Sequence, residues 1–221
     1  LQYMKQWSGI MYQQFSNNRI QDYSKSLCCQ PGYYSDELHY REVYLTQRDP
    51  AHRIVSMCYE AFPTKSRVSI IPDGCVDVVL AFSNDFCQGI SVCGTISTLY
   101  AMDFQESDYI FGMRFLPGKF PPELMGDISS FMDEQHDLAL HVREWKFIDA
   151  MRQSANFYER VALAREYLSE FARSDEYKEM LVQHTVDMIC NSGGNVGIER
   201  ISQELVYSPR YVERVFKEYT G

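Results

Sequence analysis

The last residues of the chain, VGIERISQELVYSPRYVERVFKEYTG (196–221), carry the pattern that decides the fold of its carboxyl-terminal region. Apolar residues recur there at helical spacing, at Ile198, Ile201 and Leu205. This spacing predicts a short helix with one apolar stripe. Ser208 suits the N-cap of a second helix, Pro209 suits its first position, and Gly221 suits the left-handed residue that ends it. The stretch therefore predicts two short helices joined by a brief connection.

The second of these helices separates apolar from polar residues. Val212, Val215 and Phe216 share its inner face. Its other positions carry the polar residues Arg210, Glu213, Arg214 and Lys217. Two short helices of this form, the second polar on its outer face, can enter the major groove of DNA. An ordinary helical hairpin with a solvated outer face fits the same pattern, so the pattern alone leaves both interpretations open.

The segment SPRYVERVFKEYTG (208–221) resembles the first helix-turn-helix of AraC/XylS-type transcription regulators, whose recognition helix reads S-x-x-x-L-x-R-x-F-K-x-x-x-G. The matching residues are Ser208, Val212, Arg214, Phe216, Lys217 and Gly221, with valine in place of leucine. The resemblance implies that Arg210, Glu213 and Arg214 read bases, since arginine pairs with guanine and glutamate accepts from cytosine. It also implies phosphate contacts at Lys217 and at the N–H groups near Ser208.

The resemblance implies a partner, double-stranded DNA. It also implies two helix-turn-helices, the first of which would be residues 196–221. The net charge of −9 and the sequence pI of about 5.0 argue against broad, non-specific binding to nucleic acid but do not exclude a local reader. Residues 193–221 contain four basic and four acidic residues. This thin positive charge favours the alternative, a ligand-sensing or protein-interaction module whose helix-turn-helix is truncated or non-functional.

The middle of the chain predicts an antiparallel sheet. Short runs rich in Val, Ile, Tyr and Phe, separated by turn residues, lie at residues 42–47, 54–62, 67–71, 76–82, 90–96 and 109–115. Six short strands at this spacing predict a small antiparallel sheet or partial barrel. The expected fold class is therefore α+β, with a β-rich domain followed by linker helices and an all-α helix-turn-helix unit.

Two motifs stand out in this region, IIPDGCVDVVLAF (70–82) and FGMRFLPG (111–118). In the first, Pro72, Asp73 and Gly74 predict a turn with a glycine bulge that joins two strands. Both motifs resemble the amino-terminal sensor domain of one branch of AraC-type regulators, whose signatures are PDGCxDxxF and GxRFxPG. The matching residues are Pro72, Asp73, Gly74, Cys75, Asp77, Gly112, Arg114, Phe115, Pro117 and Gly118. The resemblance then extends over roughly residues 40–221 and implies a domain that senses an effector or a partner.

Strand alternation places Asp77 and Arg114 opposite the more apolar faces of their strands. A charge among such neighbours needs a partner, so we expect the two to form a salt bridge. The favoured interpretation is a structural ion pair between two strands. The functional interpretation makes Asp77 and Arg114 the polar anchor of a small-molecule effector pocket.

Helical patterns follow residue 121. We expect a short helix at residues 121–128, a second marked by Leu138, Val142, Trp145 and Ile148, and another at residues 176–192 that Gly193 and Gly194 end. Between them runs a heptad seam: Phe157, Val161, Ala164, Leu168 and Phe171. We interpret the seam as packing within the chain, with a homodimer as the alternative. The expected units are an extension (1–36), a sensor domain (37–135), linker helices (136–175) and the first half of a DNA-binding domain (176–221).

Little in the sequence indicates catalysis. The histidines are scattered, at His39, His52, His136, His141 and His184, and Cys87 and Cys93 lack the spacing of a zinc site. We therefore expect no enzyme, no metal and no cofactor. A thiol-based redox sensor using Cys28, Cys29 or Cys75 is a third hypothesis that rests on cysteine count alone. Seven cysteines without a disulfide framework indicate a cytoplasmic protein, and no apolar run is long enough for a membrane span.

Overall fold

The structure is a computed structural model that describes residues 30, 38–63, 67–84, 86–103, 109–126, 128–138, 145–172 and 177–221. The predicted extension, apart from Gln30, lies outside these residues, as do Val142 and Glu176. The described part of the chain is mixed α+β: an antiparallel sheet occupies its amino-terminal half and helices follow it. The predicted fold class is confirmed.

The strands are β1 (Leu38–Tyr44), β2 (Val55–Pro63), β3 (Arg67–Ile70), β4 (Val76–Ser83), β5 (Phe86–Cys93), β6 (Tyr100–Asp103), β7 (Tyr109–Phe115) and β8 (Gln135–Asp137). Six of them form one antiparallel sheet in the order β1-β2-β7-β4-β5-β8, and β3 pairs with β6 in a smaller sheet. Each of the six predicted strands is present, although β1 begins four residues earlier than expected. The large sheet is not closed into a barrel, so the antiparallel sheet is the predicted form that is observed.

The turn at Pro72, Asp73 and Gly74 joins β3 to β4, as predicted, but these two strands do not pair with each other. Strand β3 before it pairs with β6, while β4 after it pairs with β5 and β7. The Asp73 carboxylate accepts the backbone N–H of Cys75 at 3.0 Å, and Gly74 adopts a φ of 69°. This aspartate turn bends the chain from the small sheet into the large one.

The two faces of the large sheet pack against different groups. Val76, Val78, Leu80 and Phe82 of β4 share one face with Phe111, Met113 and Phe115 of β7, as predicted, and form the main core. Val79 lies on the opposite face with Tyr59 and Ile110. The alternation places Asp77 and Arg114 on that second face, directly opposite each other in the register of β4 and β7.

The helices are α1 (Pro122–Met125), α2 (Trp145–Gln153), α3 (Phe157–Ser169), α4 (Tyr177–Asn191), α5 (Ile198–Leu205) and α6 (Pro209–Thr220), with 3₁₀ turns at Pro50–Arg53 and Ile128–Phe131. Helix α1 ends earlier than predicted because Gly126 adopts a φ of 82°. Leu138, predicted inside a helix, follows β8 instead, because pairing with β5 keeps that backbone extended. None of the described helices has the length and apolarity that a bilayer crossing requires.

The predicted heptad seam packs within the chain. Phe157, Val161, Ala164 and Leu168 of α3 are buried in the main core, and Phe171 packs against it. The favoured interpretation of the seam is therefore confirmed. Its buried residues are not available as the surface of a homodimer in this conformation.

A buried charge cluster that was not predicted from the sequence attaches α3 to the sheet. Arg160 is 3% exposed and donates to Glu60 Oε1 at 3.0 Å and to the Tyr109 hydroxyl at 3.2 Å. Its guanidinium lies 4.1 Å from the centroid of the Phe82 ring. Glu60 also accepts from Arg41 Nε at 2.7 Å. Glu60 therefore links β1, β2 and α3 through one buried carboxylate.

We expect Arg160→Ala to lower the free energy of unfolding by about 3–5 kcal/mol, because it removes a partner of a buried carboxylate and leaves a gap beside Phe82. Urea denaturation of both proteins measures the difference. Arg48→Ala, which removes an exposed arginine, is the matched control and should change stability by less than about 0.5 kcal/mol. Equal effects of the two substitutions would contradict the cluster's structural role.

Candidate functional site

The helix pair at the end of the chain has the expected form. Helices α5 and α6 are joined through Val206 and Tyr207, and the Ser208 hydroxyl accepts the N–H of Tyr211 at 3.3 Å. Pro209 occupies the first position of α6, and Gly221 follows its end with a φ of 92°. The predicted cap, start and end of α6 are confirmed.

A shared apolar core holds α6 on α4 and α5. Its buried residues include Val212, Val215 and Phe216 of α6, the predicted inner face, packed with Leu181, Val182, Val186, Ile189, Val196 and Ile201. Thr185 of α4 is buried and donates its hydroxyl to the Leu181 carbonyl at 2.9 Å. The turn Ser192–Gly194 ends α4, and the Gly194 N–H reaches the Ile189 carbonyl at 2.7 Å. The three helices form one unit, here called the helical unit (residues 177–221).

The predicted base-reading residues lie together on the exposed side of α6. At about 100° per residue, positions 210, 213, 214 and 217 fall on one side of a helix. The four side chains there are exposed: Arg210, Glu213, Arg214 and Lys217. This set is called the outer face of α6. Ser208 is also exposed, at the amino-terminal end of the same helix.

The outer face of α6 borders a charged and aromatic edge that the sequence did not predict. Glu218 Oε2 lies 3.3 Å from Arg214 Nη1, and Glu218 Oε1 lies 2.7 Å from Lys178 Nζ of α4. The Tyr207 and Tyr211 ring centroids are 5.0 Å apart. The sequence shows that Glu218 follows Arg214 by one helical turn. It does not show the contact with Lys178, which depends on how α4 crosses α6.

Val206 holds an unfavourable backbone conformation in the connection between α5 and α6. Its φ of 59° and ψ of 41° place it in the left-handed region, where Cβ crowds the backbone and a β-branched residue is rare. The side chain is 86% exposed, so burial offsets little of this strain.

We therefore expect Val206→Gly to raise the free energy of unfolding by about 0.5–1 kcal/mol, because relief of the Cβ conflict exceeds the added entropy of the unfolded glycine. Thermal or urea denaturation checks this. Val206→Ala keeps the Cβ atom and should gain less than the glycine variant. A glycine variant less stable than the alanine variant would contradict the expected strain.

The predicted ion pair between Asp77 and Arg114 is present and has a third member. Arg114, 1% exposed, donates from Nε and Nη2 to the two oxygens of Asp77 at 3.0 and 2.6 Å. It also donates from Nη1 to Asp73 Oδ2 at 2.8 Å. Burial lowers the pKa of Arg114, but Asp77 and Asp73 outweigh it and hold that pKa well above the usual value. The guanidinium stays charged with a carboxylate on each side.

Gln30 completes this ion cluster. Its amide nitrogen donates to the Ile71 carbonyl at 2.8 Å and to Asp73 Oδ2 at 2.5 Å, and its oxygen accepts the Ile71 N–H at 2.9 Å. Burial raises the pKa of Asp73, against the opposing effect of Arg114. These contacts describe a structural cluster filled by the chain's own groups, and an effector at Asp77 and Arg114 stays a prediction.

Both sequence motifs meet the helical unit at the edge of the sheet. Cys75, next to the ion cluster, is buried in the core of the helical unit, and Leu116 packs against the same core. Lys119 Nζ lies 3.3 Å from Glu179 Oε2 of α4. A Cβ atom at Gly118, whose φ is 73°, would come within 2.6 Å of Val182 Cγ1. The motif glycine is therefore required both by its backbone conformation and by the close approach of α4.

We expect Gly118→Ala to separate the helical unit from the sheet, because the new methyl group strains the backbone and displaces α4. Hydrogen exchange should show lost protection in α4 and α6 and retained protection in β4 and β7. Gly89→Ala is the matched control, since a Cβ there meets no atom within 4 Å. An unchanged exchange pattern in the Gly118 variant would show that this contact does not hold the helices.

The histidines and cysteines of the described ranges do not form a metal-binding group. No set of three or more His, Cys, Asp or Glu side chains there could hold a metal ion. His136 contacts Glu134 at 2.7 Å, whereas His141, Cys28 and Cys29 lie outside the ranges. Burial raises the pKa of Cys58 and of Cys93 to about 12. These two thiols are poor nucleophiles.

Comparison with known proteins identifies one region. Residues 52–137 match a family described as a domain of unknown function (DUF6597), and the match extends from the 3₁₀ turn before β2 to β8. It includes both sequence motifs and the ion cluster, apart from Gln30. No curated protein and no solved structure matches the chain. The chain thus contains a domain similar to this family.

Proposed function

We propose that the protein is a sequence-specific DNA-binding transcription regulator of AraC/XylS type, in which α6 reads the major groove and the β-rich domain acts as a sensor. The observation that carries the proposal is the outer face of α6. It exposes Arg210, Glu213, Arg214 and Lys217, while the opposite side of the helix is buried in the core of the helical unit. A short supported helix of this kind fits the width of the major groove.

Each residue of the outer face has a proposed role. Arg210 and Arg214 would pair with guanine, and Glu213 would accept a hydrogen bond from cytosine N4. Lys217 and the N–H groups that follow Ser208 would contact phosphates and fix the register without selecting sequence.

The junction between the motifs and α4 supports a sensor that acts on the helical unit. Asp73 and Cys75 are two residues apart, yet one belongs to the ion cluster and the other to the helical core. A change in the position of this turn would therefore be transmitted to α4 through the core of the helical unit. The ion cluster serves better as this link than as an effector site, because its carboxylates and Gln30 already surround the guanidinium.

The second candidate is a sensing or interaction module without DNA activity. The net charge of −9 favours it, as does the presence of Glu213 and Glu218 among the exposed side chains of α6. Negative charge on or beside a reading face weakens attraction to phosphates.

Selection of bound fragments from random duplex DNA at moderate salt separates the two candidates. A regulator should enrich a defined motif, and its affinity should fall steeply as salt rises. A module without DNA activity should enrich nothing at any salt concentration, and that result would remove the proposal.

For the enriched motif, we expect Arg214→Ala to reduce discrimination at one base pair by about 1–3 kcal/mol. Lys217→Ala should instead weaken binding to all sequences similarly and reduce the salt dependence. Binding titrations against the motif and its single-base variants measure both effects. Uniform loss with Arg214→Ala would reassign that residue to a phosphate, and no loss would remove it from the interface.

A further inference from the structure

Three charged side chains lie at the edge of the outer face, and the role inferred for them rests on the proposed function. We propose that Glu218 is a positioning residue for Arg214, held by Lys178 from α4, and that it thereby sets the guanine preference of α6. The three side chains form a line, Lys178–Glu218–Arg214, here called the edge triad, with contacts of 2.7 and 3.3 Å.

Arg214 is restrained on two sides. Its guanidinium carbon lies 5.1 Å from the centroid of the Tyr211 ring, one turn earlier in α6, and Glu218 lies one turn later. The side chain remains 57% exposed. An arginine loses rotamer entropy when it is fixed against a base, and restraint before binding reduces that loss.

The geometry leaves Arg214 able to read a base. The carboxylate of Glu218 occupies one N–H of Nη1, and a guanidinium offers further donors in the fork that matches guanine O6 and N7. An exposed ion pair is worth little by itself, so Glu218 orients the guanidinium without trapping it.

Lys178 distinguishes this arrangement from an ordinary pair within one helix. It reaches Glu218 from forty residues earlier in the chain, so the tertiary fold of the helical unit fixes the carboxylate. The hydrogen bond from Lys178 to Glu218 raises the pKa of Lys178. Its positive charge also offsets the repulsion between Glu218 and DNA phosphates.

The test is Glu218→Gln in the full chain, assayed on the selected motif and on duplexes altered at the base pair that Arg214 reads. We expect discrimination at that pair to fall by about fivefold, while affinity for unrelated duplexes stays equal or rises because a negative charge is lost. Glu204→Gln removes the same charge from an exposed position of α5 and should leave discrimination unchanged.

Lys178→Met provides a second measurement. It keeps the ion pair between Glu218 and Arg214 but removes the hydrogen bond from Lys178 that holds the Glu218 carboxylate. Discrimination at the base pair that Arg214 reads should therefore also fall, while discrimination at the other base pairs of the motif should not. Thermal unfolding of all variants excludes loss of the helical unit as the cause.

The outcomes separate the inference from the proposed function. If the unsubstituted protein selects a motif and Glu218→Gln keeps full discrimination, the positioning role is overturned and the regulator stands. If Glu204→Gln lowers discrimination equally, the effect is one of net charge and the positioning role is again overturned. If the unsubstituted protein selects no motif, the proposed function fails and the inference fails with it.

Discussion

The buried guanidinium of Arg114 is the constraint on which the rest of the structure depends. It joins β7 to β4 through Asp77 and reaches the turn before β4 through Asp73. A buried charge of this kind is tolerated only when its donors are matched, so the positions of both carboxylates are fixed together. Asp73 in turn fixes the backbone at Cys75, and Cys75 enters the core of the helical unit. One side chain thus sets the strand pairing, the bend between the two sheets and the place where the helices pack.

Much of this architecture is encoded locally, and that part could be predicted from the sequence. Alternation along β4 and β7 identified the apolar faces and the ion pair of Asp77 with Arg114, because successive side chains of a strand point to opposite faces of the sheet. The caps of α6 were equally local, since Ser208, Pro209 and Gly221 each act within one turn. The turn at Gly74 was predicted, but the pairing partners of β3 and β4 were not, because a tight turn specifies a bend and not the strands that will pair. Pairing depended on β6, whose short sequence gives little signal.

The contacts that no sequence pattern revealed are those made between distant segments. Arg160 lies on the buried side of α3, a position that predicts an apolar residue, and its contacts with Glu60 and Tyr109 explain the charge there. Lys178 meets Glu218 because α4 crosses α6, and periodicity within either helix does not encode that crossing. The exposed residues of α6 could be predicted from spacing, whereas the groups that restrain them could not. For the same reason, the sequence predicted which residues form the candidate site but not how their side chains contact one another.

The close approach at Gly118 has a consequence for how such proteins can be recombined. The helical unit does not bring a complete core of its own, because Cys75 and Leu116 of the sheet supply part of its apolar packing. Gly118 admits α4 to that position by lacking a side chain. A chimaera that joined this helical unit to a foreign sensor would need the same cysteine, the same glycine and a matching bend between its sheets. The junction would therefore have to be transferred as a unit, and the two halves of the chain are not freely interchangeable parts.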